Sequence, residues 1–187
     1  QWARTATTAS SYSLFKDVAV DASGNVYAAG YQNGTGDFAY GSHTVAGASS
    51  NENAVIVKFD SAGAAQWARS VSEAAGRSSY GSVVVDENGN VYAAGWQEGT
   101  GTFTHGESPS ATFGIAGSCS SFNPVIVKCD VDGNVGWAST VSGVDGSGWF
   151  GDLASPASGV IYAAGIQEGT GQYTYETESV SGSADVD

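Results

Sequence analysis

Gly89-Asn90-Val91-Tyr92-Ala93-Ala94-Gly95 occurs three times in this chain, unchanged at Gly24–Gly30 and as Gly159-Val160-Ile161-Tyr162-Ala163-Ala164-Gly165. A second phrase keeps step with it: Val55-Ile56-Val57-Lys58-Phe59-Asp60 returns as Val125-Ile126-Val127-Lys128-Cys129-Asp130. A third, Gln1-Trp2-Ala3-Arg4, returns as Gln66-Trp67-Ala68-Arg69 and, more loosely, as Gly136-Trp137-Ala138-Ser139. The period is 65 residues from Gly24 to Gly89 and 70 from Gly89 to Gly159. Self-similarity at this spacing marks a repeat architecture, in which units too small to bury their own apolar faces stack on one another.

Each copy reads as four β-strands. In copy two, Tyr80–Asp86 is rich in β-branched residues and stops at Glu87-Asn88-Gly89-Asn90, where Asn and Gly tolerate the positive φ of a tight hairpin. Val91–Gly95 returns as a strand of small residues, a sign of close backbone approach. Gly99-Thr100-Gly101 follows in every copy and reads as the turn at the sheet's end, with Gln32, Gln97 and Gln167 before it in structural roles. Val125–Asp130 places Val125, Val127 and Cys129 on one face and Ile126, Lys128 and Asp130 on the other, so the strand is mostly buried. The turn Val131–Asn134 leads to a Trp137 strand. No stretch carries helical periodicity over a useful length. The fold class is all-β: about three tandem four-stranded antiparallel blades. They cover 1–65, 66–135 (with an inserted loop near 106–121 carrying Pro109) and 136–187, the last incomplete.

The run Tyr-x-x-Val-x-Val-Asp-x-x-Gly-Asn-Val-Tyr-x-x-Gly over 80–95, with Asn53–Asp60 and Gln66–Arg69, resembles the bacterial β-propeller repeat often called SBBP, in its spirochaete-type flavour. The resemblance covers nearly the whole chain. It implies propeller-like blades and a surface or secreted protein, extracellular or on the cell surface, and it carries no catalytic motif. Three blades fall short of the roughly four to eight that close a propeller. Copy three lacks the Val-Ile-Val-Lys strand, while Gln1–Arg4 reads as the fourth strand of a blade whose other three are missing. The partners implied are the rest of a longer chain or other copies of this one, in a ring or in a filament built by strand complementation.

Composition narrows the classes further. Nineteen acidic residues against 6 basic ones give a net charge of −13 over 187 residues. That balance argues against nucleic acid and anionic membrane surfaces, which need clustered Lys and Arg. No apolar run is long enough to span a membrane. The acidity serves solubility or binds cations. A chain without Met that opens inside a repeat phrase reads as a piece of something longer, and its wealth of Gly, Ser, Thr and Ala suits an exported bacterial protein.

Differences between copies point to candidate sites. Trp96 stands where the other copies have Tyr31 and Ile166. Trp149 sits beside Phe150, and Phe113 lies in the inserted loop. Such aromatics stack on a carbohydrate, anchor a surface protein or pack between blades. Asp130, Asp132 and Asn134 have alternate oxygen spacing that suits calcium, against the alternative of an ordinary Asx-Gly turn. Cys119 and Cys129 flank one strand and pair as a disulfide closing the inserted loop, or remain two free thiols. His43 and His105 occupy non-equivalent positions without a zinc ligand set. The function read from these residues is a non-enzymatic extracellular or cell-surface repeat module for adhesion or ligand binding. The alternative is a structural subunit of an extracellular filament or sheath, and a secreted hydrolase is the least supported class.

Overall fold

The computed structural model describes residues 1–9, 11–106, 112–143, 146–156 and 160–181; Pro109 and the end of copy three from 182 onward lie outside them. Every described element is a β-strand, and every pair of named strands is antiparallel.

Copy one contributes β1 (Thr8–Ala9), β2 (Ser13–Val20), β3 (Val26–Asn33), β4 (Asp37–Tyr40), β5 (His43–Ala46) and β6 (Glu52–Phe59), and its sheet is completed by β7 (Ala65–Ala74), which runs past the sequence boundary at 65. Copy two follows with β8 (Ser78–Val85), β9 (Val91–Glu98), β10 (Thr102–His105), β11 (Phe113–Ala116) and β12 (Phe122–Cys129), completed in the same way by β13 (Val135–Thr140) across the boundary at 135. Copy three has β14 (Ser142–Gly143), β15 (Ser147–Ala154), β16 (Tyr162–Glu168), β17 (Gln172–Tyr175) and β18 (Glu178–Ser181).

The order β2-β3-β6-β7 in the first sheet recurs as β8-β9-β12-β13 in the second, with matching registers. The third sheet holds β15 and β16. The four strands per copy expected from the sequence are joined by a hairpin between the second and third, β4–β5, β10–β11 and β17–β18. Tyr40 pairs with His43 across two residues, whereas His105 pairs with Phe113 across seven, so the insertion in copy two lies at the hairpin tip. All five residues distinguishing copy two therefore need no place in the main sheet, and its register is undisturbed.

Strands, not linkers, join the copies. β7 completes the first sheet through Ala65–Ser70 and then pairs with β10 of copy two through Val71–Ala74. β1 pairs with β4, and β14 with β17, in the same manner.

Two devices lock sheet onto sheet. The first is a Trp–Gly clasp at the Asp-x-x-Gly turn. The Trp67 indole N–H donates to Val131 O (3.0 Å) and Arg69 Nε to Gly133 O (2.8 Å). Trp2 and Arg4 bond Ser61 O (3.1 Å) and Gly63 O (2.6 Å) in the same way. Gly63 and Gly133 have φ near 80°, and a Cβ at either would fall within 3 Å of the indole lying on it, so conformation and space both demand glycine.

The second device runs along the first strands, each bulged after an aromatic or its neighbour. Asp17 Oδ2 accepts from Ser82 Oγ (3.0 Å) and Val83 N (2.8 Å), and Ser82 Oγ accepts from Leu153 N (3.2 Å). The bulges of β2 and β8 turn Asp17 and Ser82 towards the next sheet, a common use of bulges. The main core fills the space between the first two sheets, with Ile56, Trp67, Val91, Val125 and Val127 buried in it. A large apolar side chain moved from water into such a core contributes roughly 1.5–3 kcal/mol.

Candidate functional site

The rim where β9 ends and β12 begins gathers residues from three sheets. Trp96, on β9, is half-buried, with its ring 4.6 Å from Phe122 at the start of β12. Phe122 meets Trp149 of β15 edge to face at 6.5 Å. Arg77 lies over both Trp96 (5.7 Å) and Phe122 (5.4 Å). It is held by Glu98 Oε2 at 2.7 Å and Glu52 Oε2 at 3.4 Å. The bond to Glu98 raises the Arg77 pKa, so the guanidinium stays charged across any working pH. A π-face, a planar cation and two carboxylates thus share one partly solvated rim.

Copy one differs at every one of these places. It has Tyr31 for Trp96, Tyr12 for Arg77 and Glu52 for Phe122, with Tyr12 and Tyr31 edge to face at 6.0 Å and Lys16 over Tyr31. Of the candidates read from sequence, Trp96 and Trp149 come together through Phe122. Phe113 does not join them; it is exposed on β11, paired with His105. Phe122 and Arg77 escaped the sequence reading, although both differ from their copy-one counterparts Glu52 and Tyr12.

The Asp130 turn is committed to its own backbone. Asp130 Oδ1 accepts from the N–H groups of Asp132 and Asn134 (both 2.9 Å), and Oδ2 accepts from Asn134 Nδ2 (2.9 Å). Arg69 Nη2 donates to Asp132 O at 3.0 Å. Partial burial alone would raise the Asp130 pKa, but the Asn134 and Asp132 bonds and the charge of Arg69 outweigh it and hold it low. Asp21, Asp60 and Asp86 close equivalent turns. Among the described residues, no three His, Cys, Asp or Glu side chains gather as a metal-ligand set.

The expected Cys119–Cys129 disulfide is corrected: both are free thiols. Cys129 closes β12 opposite Val91, whereas Cys119 N donates to Asn123 Oδ1 beyond the other end of the strand. Six or more strand steps of about 3.3 Å separate them, far outside disulfide reach. Burial pushes the Cys129 thiol up to about 12.

His105 belongs to a buried relay. Tyr80 OH donates to Nδ1 (2.8 Å), Nε2–H donates to Gln97 Oε1 (3.2 Å), and Gln97 Nε2 reaches Ile115 O (3.5 Å). In copy one Tyr40 fills the histidine's place and donates to Gln32. Burial pulls the His105 pKa from 6.5 down to about 4, leaving a neutral imidazole in a structural position. No protein-family model and no curated protein matches the chain. No described helix is long and apolar enough to cross a membrane.

Proposed function

We propose that the chain is a non-enzymatic module of propeller-type blades, as the SBBP resemblance implies, working outside the cell or on its surface. It binds carbohydrate or a glycosylated surface protein at the Trp96–Phe122–Trp149 rim. The observation that carries this reading is the half-exposed aromatic row capped by Arg77, at positions where copy one has Tyr31, Glu52 and Tyr12 in place of Trp96, Phe122 and Arg77. Aromatic faces stack on the apolar face of a sugar ring, while a fixed guanidinium and carboxylates bond its hydroxyls. Calcium has no part in this reading, because the Asp130 carboxylate is occupied by N–H groups and an arginine lies beside its turn.

Intrinsic tryptophan fluorescence, titrated with soluble neutral and acidic oligosaccharides, tests the proposal. A saturable change lost in Trp96→Ala and Arg77→Ala supports it. Response to no sugar, or one that survives both substitutions, rejects it. The filament reading draws on one feature, the exposed Val18 and Val20 on the outer face of the first sheet, whose counterparts Val83 and Val85 are covered by the neighbouring sheet. Negative-stain microscopy separates the readings: discrete particles for a binding module, long fibres for a sheath.

A further inference from the structure

The chain carries 6 Lys and Arg side chains against 19 Asp and Glu, and each of the basic ones is already engaged by the protein itself. Arg4 and Arg69 donate to the turn carbonyls of Gly63 and Gly133. Lys58 donates to Val131 O at 3.1 Å and lies over Tyr27. Lys128 lies over Tyr92, and Lys16 over Tyr31 with the Glu52 charge acting on its ammonium. Arg77 is the one of the six that meets Trp96 and Phe122, and it does so with two carboxylates attached.

The geometry of that pairing decides what Arg77 can still hold. Its Nε donates to Glu98 Oε2 and its Nη1 to Glu52 Oε2, while the guanidinium lies over both rings. An arginine grips a carboxylate or sulfate best through a pair of N–H groups on one edge. The edges that could do this are Nε with Nη2 and Nη1 with Nη2, and each has one nitrogen engaged. One guanidinium against Glu98 and Glu52 also leaves this cluster one unit negative, on a chain whose net charge is −13. Among the described residues neither Glu98 Oε1 nor Glu52 Oε1 has a hydrogen-bond donor, so the rim offers acceptors and asks for donors. Hydroxyl and amide groups of an uncharged sugar donate, whereas ionised carboxylates and sulfates only accept.

We infer that the rim takes uncharged glycans and refuses acidic ones, and that Glu98 and Glu52 set this specificity by occupying Arg77. The inference rests on the sugar-binding reading of the rim and narrows it to one charge class of ligand. Trp96, Phe122 and Trp149 supply a stacking surface that reads the shape of a ring rather than its charge, so discrimination falls to the two carboxylates. Glu52 opens β6 of the first sheet and Glu98 closes β9 of the second, so the specificity is assembled where two copies stack. At the junction of the second and third sheets the places of Glu52 and Arg77 are taken by Phe122 and Ser147, and Ser147 Oγ is bonded to Ser121 Oγ at 3.2 Å. The charge pairing therefore belongs to the first of the two junctions.

Tetramers of β-1,4-linked glucose, α-1,4-linked glucose and β-1,4-linked N-acetylglucosamine serve as uncharged probes. The α-1,4-linked galacturonate tetramer is the acidic probe, and its methyl ester is the same chain without charge. Each is titrated into the 187-residue chain and read by intrinsic tryptophan fluorescence. The best uncharged tetramer should bind at least about tenfold more tightly than galacturonate, because a like charge set against the rim is repelled. Salt should narrow that gap by screening the repulsion. Glu52→Gln with Glu98→Gln keeps an oxygen acceptor at each place and frees the Arg77 charge, and should raise galacturonate affinity about tenfold. Comparing the tetramers on the unaltered chain keeps the test decisive if the double variant fails to fold. Galacturonate binding as tight as that of its ester or of the best uncharged tetramer, or an unchanged preference in the folded double variant, overturns the inference and leaves the sugar-binding reading standing. Response to none of the tetramers overturns both.

Discussion

Lowering the pH from 7 to 4 should destabilise this protein through His105 by an amount that its surroundings set. The imidazole is buried, accepts from Tyr80 and donates to Gln97, and has its pKa pulled from 6.5 to about 4. In the unfolded chain the side chain takes up a proton as the pH falls through its ordinary value, while the folded protein refuses it until about 4. Between those limits the unfolded state binds more protons, so stability falls as pH falls. At about 1.4 kcal/mol per tenfold change in proton affinity, the loss attributable to His105 is about 3 kcal/mol, complete near pH 4. His105→Gln keeps an acceptor for Tyr80 and a donor for Gln97 but does not titrate. Urea unfolding of both proteins from pH 8 to pH 4 isolates the histidine, since the turn carboxylates contribute equally to each. The difference between the two curves should shift by about 3 kcal/mol in favour of the variant as pH falls. A constant difference across the range would refute the assignment of a neutral buried imidazole.

Asn123 Oδ1 accepts from Ser118 N and Cys119 N, and its Nδ2 reaches the carbonyls of Gln97, Gly99, Cys119 and Ser121. Asn123→Ala should therefore cost at least ~3 kcal/mol, read by chemical denaturation, and a cost below 1 kcal/mol would contradict that buried network. Ser78→Ala should cost about 1–3 kcal/mol, because Ser78 Oγ is the partner of the buried Ala54 N–H; a melting temperature unchanged by it would count against the contact. Between the second and third sheets the same two positions are Pro124 and Gly148, so donor and acceptor have gone together. Alkylation followed by mass spectrometry should find both thiols unpaired without reductant, Cys119 labelled in the native protein and Cys129 only on unfolding. An intact mass two hydrogen atoms short, restored by reductant, would show a disulfide instead.

The main strands were legible because their turns repeat. Asp21, Asp86 and Asp130 each stand three residues before a glycine that takes the positive φ, and the apolar runs between them are too short for helices. The small hairpins were missed because their strands are four residues long and their polar positions change from copy to copy. Only the alternation in Phe38 and Tyr40, Phe103 and His105, and Tyr173 and Tyr175 betrays them, and Phe38 and Phe103 are buried. The disulfide expectation failed because proximity in sequence was read as proximity in space, while an eight-residue strand lies between the thiols. The aromatic rim was half visible. Trp96 and Trp149 stood out as departures from their copies, but joining them needed Phe122, and only the registers of two sheets bring it there. The Trp–Gly clasp could not be read from either phrase alone, because its halves lie about one repeat apart and meet only when the sheets stack.

Stacking of successive copies through that clasp underlies the rim, and nuclear magnetic resonance of the Gly133 α-protons measures it directly. With Trp67 lying on the turn, those protons should be displaced upfield by the indole ring current and show a nuclear Overhauser effect to it. Gly133 protons at ordinary turn shifts, with no transfer to Trp67, would mean that the copies do not pack in this way.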